Sequence, residues 1–322
     1  MTNKFQDSIL KLQTIELSVG NICQKKVMKS IIKFFLLLLA SLFLFANCSG
    51  LKNHNFSGDF QAIVISDTHI SNDESKDKRL AQLIEKINAN EFPSAQLLLI
   101  TGDLVSSIYG NEEPNVPDES NNRMKKLQAL LGELKIPYYL ILGNHDYKFN
   151  RSVDSDRYFS LEEILHLEHI WKRDAGIEPY YAFEHQGWKF ICLNSMRGRY
   201  VNRHFDEQQL DWFEAQLNDD KPTILLFHHP LKTDHFKIWC KPKHLITPDK
   251  EPRFYAILEK YRMRIKGIFV GHGHRWVQDR LFGTIKVYET ASFADSKGLP
   301  FYLVGFDNHT LAIHVKKFKT IK

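Results

Sequence analysis

A chain of 322 residues, 43% hydrophobic and 25% charged, can bury a full-sized core and is not disordered in bulk. Of its formal net charge of +5, +4 sits in the first 47 residues, where Lys4, Lys11, Lys25, Lys26, Lys29 and Lys33 face only Asp7 and Glu16. The remainder is close to neutral and advertises no basic groove for nucleic acid, so no nucleic-acid partner is expected.

Met28 to Lys33 forms a short basic start, and Phe34 to Ala46 an uncharged run shorter than the roughly 20 residues of a spanning helix. The run ends at Phe45-Ala46-Asn47-Cys48, which resembles a bacterial lipobox whose cysteine is lipidated and becomes the mature N-terminus. Ordinary cleavage without lipidation and an uncleaved anchor are the alternatives. Met1 to Val27 is unusual ahead of such a signal, so Met28 reads as the true start. The expected division is a leader and export signal over 1–47, a tether over 48–59 and one domain over 60–322. The expected location is export and lipid anchoring through Cys48, on the periplasmic or cell-surface side of a bacterial membrane.

Phe60 to Ser66 reads as a strand, Asp77 to Asn90 as a helix through Leu80, Leu83, Ile84 and Ile87, and Leu97 to Ile100 as a strand buried on both faces. This is the βαβ pattern. A polar loop from Ser106 to Asn122 precedes a second helix, Arg123 to Leu134, and the strand Pro137 to Leu142. Ser160 and Glu163 stand at capping-box spacing before a helix to Arg173, where His166 and His169 have surface or packing roles. Tyr180 to Glu184 and Trp188 to Asn194 flank Gly187 as a hairpin. Phe205 to Leu217 is helical, Thr223 to Phe227 a strand, and a long connection runs through Pro252. Ile265 to Val270 is a further strand, followed by hairpins turning near Gly283 and Asn308. Cys192, inside a strand, is expected as a buried free thiol and not as a disulfide partner of Cys240.

Five apolar runs end in residue types that ligate metals. They are followed by Asp67-Thr68-His69, Gly102-Asp103, Gly143-Asn144-His145-Asp146, His228-His229-Pro230 and Gly271-His272-Gly273-His274. Any one of these is an ordinary polar strand end. In a strand, residues two apart share a face, so Asp67 with His69, and His272 with His274, are expected to project as pairs. Carboxylate, imidazole and carboxamide donors suit Mn, Fe, Zn or Co, and the missing thiolates argue against a structural zinc site.

The ordered set resembles the calcineurin-like metallophosphoesterases, in flavour the class III cyclic-nucleotide and glycerophosphodiester phosphodiesterases. The resemblance implies an α/β fold, an αββα sandwich of two mixed sheets flanked by helices. It implies two metal ions, one held by Asp67, His69, Asp103 and His274, the other by Asp103, Asn144, His228 and His272. A hydroxide bridging the metals would attack phosphorus in a mono- or diester. His145 would then assist the leaving oxygen, with Asp146 fixing its tautomer and raising its pKa. Purple acid phosphatases carry tyrosine three residues beyond the bridging aspartate; Ser106 stands there, so no iron–tyrosinate centre is expected. Arg197, Arg199, Arg203 and Lys237 are candidate substrate contacts, weighed against ordinary solvated charge. The alternative to an enzyme is a non-catalytic surface binding protein on the same scaffold.

Overall fold

The computed structural model describes residues 58–155, 157–237 and 240–319. The leader over 1–47 and Cys48 lie outside the described residues, as do Ile238 and Trp239. Strands β1 (Phe60–Ile65), β2 (Ala95–Thr101) and β3 (Tyr138–Ile141) run parallel. They share a sheet with the closing hairpin of β10 (Phe301–Asp307) and β11 (Ala312–Phe318), in the order β11-β10-β1-β2-β3. The second sheet holds β4 (Tyr181–His185), β5 (Trp188–Cys192), β6 (Thr223–Leu226), β7 (Ile265–Val270), β8 (Val277–Leu281) and β9 (Ile285–Glu289). Its order is β4-β5-β6-β7-β9-β8, with β5, β6, β7 and β9 parallel and an antiparallel strand at each edge.

Alternation along each strand assigns its residues to layers. Phe60, Ala62 and Val64 join Leu97, Leu99, Phe190, Cys192, Ile224 and Leu226 in the core between the sheets. Ile63, Ile65, Leu98 and Ile100 face outward under helices α1 (Glu74–Asn88), α2 (Arg123–Leu131) and α3 (Leu161–Ala175). Ile191, Leu225, Ile268 and Val287 face outward under α4 (Glu207–Gln216) and α5 (Pro252–Lys260). Strands covered on both faces have no polar side, which is why the sequence shows continuous apolar runs there. The result is the αββα sandwich.

Helix starts follow local chemistry. Asp73, Asn122 and Asp206 accept from first-turn backbone N–H groups of α1, α2 and α4. Ser160 and Glu163 form the reciprocal capping box of α3, and Gly176 closes that helix in the left-handed conformation. One element corrects the sequence reading. α5 lies partly inside what reads as a long connection and beyond it, with Pro252 in its first turn and Phe254, Tyr255, Ile257 and Leu258 buried. At nine residues it is too short for a strong periodic pattern, although proline at the start is itself a helix signal. Both described cysteines are free thiols, and burial pushes that of Cys192 up to about 12.

Candidate metal centre

All five motifs lie just past the C-terminal ends of parallel strands β1, β2, β3, β6 and β7, where α/β sheets place their ligands. The chain does not simply extend the pleat there. Asp67, His69, Asp103, His272 and His274 all have positive φ, between 44° and 71°. That corrects the expectation that a strand period pairs Asp67 with His69 and His272 with His274, since tight turns beyond the strands do so. Such conformations cost about 1–3 kcal/mol each for non-glycine residues and concentrate at functional sites. Interlocking turns hold them. Asp67 N–H donates to Gly102 O, His69 N–H to Asp103 O, and Ala294 N–H to Asp67 O.

Two donor groups result. Asp67, His69, Asp103 and His274 bring ligand atoms within 4.8 Å of one another, and so do Asp103, His228 and His272. Asn144 Oδ1 joins the second group, 3.2 Å from His228 Nε2 and 2.9 Å from His272 Nδ1. Asp103 belongs to both, its Oδ1 lying 3.2 Å from His228 Nε2. Gly143 is required by contact, because a Cβ there would lie 2.4 Å from both the Asp103 backbone N and Oδ1.

Three of the donors, His228, Asn144 and His274, are oriented from behind. His228 Nδ1 is 2.9 Å from the Thr101 carbonyl, which fixes a proton on Nδ1 and turns Nε2 into the site. Ser155 Oγ accepts from the Asn144 amide, leaving its oxygen facing inward. His274 Nε2 is 3.2 Å from Asp67 Oδ1, and its Nδ1 is 3.4 Å from Asp295 Oδ2. Asp295 is in turn anchored by Ser292. Burial pushes His69 down to about 4, outweighing Asp103 and Asp67, so its imidazole is neutral with a lone pair to offer. Burial opposes charge on His228 as well, but the adjacent Asp103 carboxylate outweighs it and lifts the imidazole to about 9. Anionic oxygens, imidazoles and one amide oxygen, with no thiolate, fit two divalent cations of the Mn, Fe, Zn or Co type.

His145 borders the first group. Its backbone N–H donates to Asp103 Oδ1 at 2.8 Å, and its ring packs edge-on to His69 at 4.7 Å. Its Nδ1 lies 3.2 Å from the Ser106 carbonyl. Asp146 does not orient it, contrary to the sequence expectation. The Asp146 carboxylate is fully buried and accepts backbone N–H bonds from Gly143, Val105 and Leu104 at 2.7, 3.0 and 3.2 Å. Burial and then the Asp103 charge push it above the usual carboxylate range, opposed by those three donors, which need an acceptor on both oxygens. It ties the turn after β3 to the turn after β2.

The basic residues divide. Arg197 is buried, pairing with Glu168 at 2.5 Å and Asp206 at 3.0 Å, and Arg203 pairs with Glu207 and Glu251. Neither is placed to grip a substrate, which corrects that expectation; all four ion pairs are made with acids on or flanking helices. Lys237 is exposed on a groove of about 500 Å³ shared with His235, Arg275 and Trp276. Arg199 lies against His229. Sequence reasoning missed Asp295, the carbonyls of Thr101 and Ser106, and the packing of His229 and His244 on His272. Carbonyls carry no sequence mark, and His229 alone was visible, as the neighbour of His228.

The calcineurin-like phosphoesterase family model matches residues 60–276. A Synechococcus protein named "Probable cyclic nucleotide phosphodiesterase" is 27% identical over 190 residues, covering 58% of this chain and 61% of the relative. The chain thus spans less than two thirds of that relative. An Arcobacter nitrofigilis protein named "Probable glycerophosphodiester phosphodiesterase" is 28% identical over 243 residues, covering 71% of this chain and 77% of the relative. Among solved structures, a dimetal phosphatase from Danio rerio shares the fold with a TM-score of 0.58 at 13% identity, over 83% of this chain and 98% of its own.

Proposed function

The chain belongs to the calcineurin-like phosphoesterase family, and from that premise we propose that it is a metal-dependent hydrolase of phosphate esters, with phosphodiesters as its leading substrate class. The observation that carries this reading is the sharing of Asp103 by two converging donor groups. The names of the relatives support the diester preference.

In this reading Asp67, His69, Asp103 and His274 hold one cation, and Asp103, Asn144, His228 and His272 the other. Two bound cations would polarise the phosphoryl oxygens and make water acidic enough to serve as nucleophile at neutral pH. The protein does the rest. Thr101, Ser155 and Asp295 hold the inner donors in one orientation, so little reorganisation is needed as charge develops. The Ser106 carbonyl accepts the Nδ1 proton of His145 in either protonation state, which leaves Nε2 to exchange a proton with the departing oxygen. Asp146 keeps the His145 turn seated on Asp103.

We place the enzyme outside the cytoplasm, anchored through lipid on Cys48; the basic start, uncharged run and cysteine of residues 28–48 support this. The hydrolase reading is tested by assaying cyclic nucleotides, glycerophosphodiesters and monoesters with Mn, Fe, Co or Zn, while counting bound metal. Two metals per chain and turnover of at least one diester are expected. Turnover undiminished in metal-stripped protein would refute it.

A further inference from the structure

The near-neutral charge of the domain conceals a polarity. On the helical faces cations are matched, as Lys78, Lys125, Lys172, Arg253 and Lys260 pair with Glu74, Glu119, Glu178, Asp211 and Glu214. Residues 232–243, 275–286 and 312–319 instead carry ten Lys and Arg against Asp234 and Asp279 alone. Both acids are engaged within the fold. Asp234 accepts from the Phe282 and Gly283 N–H groups, and Asp279 from Thr233 Oγ1 at 2.5 Å and His235 Nδ1 at 3.1 Å. Among the described residues, Lys237, Lys241, Lys316 and Lys317 are exposed and pair with no carboxylate.

Contacts place the three segments on one flank. Asp234 N–H donates to Arg280 O at 2.9 Å, and Lys286 Nζ to Ile313 O at 2.9 Å. The Lys317 ammonium stands 5.4 Å from the centre of the Trp276 ring. The groove of about 500 Å³ lies in this flank, with Lys237 on one wall and Arg275 and Trp276 on the other. It begins beside the accessible edge of the first donor group. There Asp67, His69 and Asp103 have side chains 7% exposed or less, and His274 has 42%. Arg275 follows His274 directly, its Cα about 3.8 Å farther on. Beyond Lys243 the chain returns to the second group, where the His244 ring packs 4.8 Å from that of His272. Arg275 has the buried Glu289 as a neighbour, so the lysines are the cations left without an acid. The half-buried Trp276 ring is held edge-on by Tyr302 at 4.8 Å, which leaves part of its face to the groove.

We propose that this groove receives the continuation of a single-stranded phosphodiester chain while one of its linkages lies at the metals. A concavity lined by one sign of charge concentrates the opposite sign. Lysines for successive phosphates beside an indole for a ring are what a single strand requires. An anionic lipid surface would meet cations on an open face, whereas these line a concavity that leads to a diester-cutting centre. For cleavage, though not for binding, this rests on the hydrolase reading.

The test varies chain length on the full, metal-loaded protein. Anisotropy of fluorescein-labelled single-stranded dT2 and dT8 is followed in the cold, with strand integrity checked on a gel. The octamer should bind roughly tenfold or more tighter, and three phosphate contacts give a slope of log K against log salt of about −2. Lys237→Gln should reduce that slope by about 0.7. Combining it with Lys316→Gln and Lys317→Gln, three exposed positions, should remove most of the length preference while the urea midpoint stays in place. An abasic octamer of equal charge separates the sources. Binding roughly fivefold or more weaker than dT8 identifies a nucleic acid through stacking on Trp276, and equal binding identifies a polyol phosphate chain. Equal binding of dT2 and dT8, or a triple variant that keeps affinity and slope, would overturn the proposal. So would lysine-dependent binding to phosphatidylglycerol vesicles without binding of dT8, which would assign the flank to a membrane. Length-dependent binding without cleavage of any diester removes only the hydrolase reading. Turnover of small diesters with no length preference removes the groove alone.

Discussion

Asp146→Asn and Asp146→Ala decide whether this carboxylate serves catalysis through His145 or holds the site together. Its Oδ2 accepts from Gly143 N at 2.7 Å and Leu104 N at 3.2 Å, and its Oδ1 from Val105 N at 3.0 Å. An asparagine can keep one oxygen on the Gly143 and Leu104 pair, but its amide nitrogen then faces the Val105 N–H, donor against donor. One orphaned buried donor costs about 1–3 kcal/mol. Alanine orphans all three, so a loss of at least about 3 kcal/mol is expected, with further loss if the turns separate. Those turns carry Asp103, Asn144 and His145, so metal content should fall along with stability. Urea unfolding, metal analysis and turnover on a nitrophenyl ester and an alkyl ester measure the three effects. Alanine should be clearly worse than asparagine in stability, and both ester types should lose activity in similar proportion. If Asp146→Asn unfolds like the parent and loses activity only on the alkyl ester, the brace argument fails. Asp146 would then act on the leaving group through His145.

Chelation should abolish turnover and added Mn or Co restore it, with Asp103→Ala losing more metal than any other single ligand change because it opens both donor groups; metal counting checks this. His145→Ala should lose about 10²–10⁴-fold on an alkyl phosphoester but far less on a nitrophenyl ester, whose leaving group is a stable anion, with metal content unchanged. Equal losses on both esters would assign His145 to positioning. Arg197→Ala should cost about 3–5 kcal/mol in unfolding free energy, since it strands the buried Glu168 and Asp206 carboxylates; an unchanged urea midpoint with a raised KM would return it to substrate binding. Cys48→Ser should move the protein from the membrane pellet to the soluble exported fraction, and a variant retained in the pellet would point to an uncleaved anchor over 34–46.

Local chemistry in the sequence was enough to locate the strands that carry the site and the order of the five motifs. Runs such as Leu97 to Ile100 have no polar face because both faces are covered, and Ser160 with Glu163 fixes a helix start within four residues. The donor types narrowed the metals because ligand softness is a property of the side chain alone. Tertiary structure decided how those side chains point. Asp67, His69, Asp103, His272 and His274 occupy left-handed conformations that their residue types disfavour, and only the interlocked turns keep them there. Asp146 stands next to His145 in the chain, yet two of its three backbone partners, Leu104 and Val105, are about forty residues away. Arg197 and Arg199 are two residues apart and look alike in sequence; the first is buried between Glu168 and Asp206, the second turned to His229. A charged side chain is assigned its role by what the rest of the fold brings within about 4 Å of it, and no local pattern encodes that.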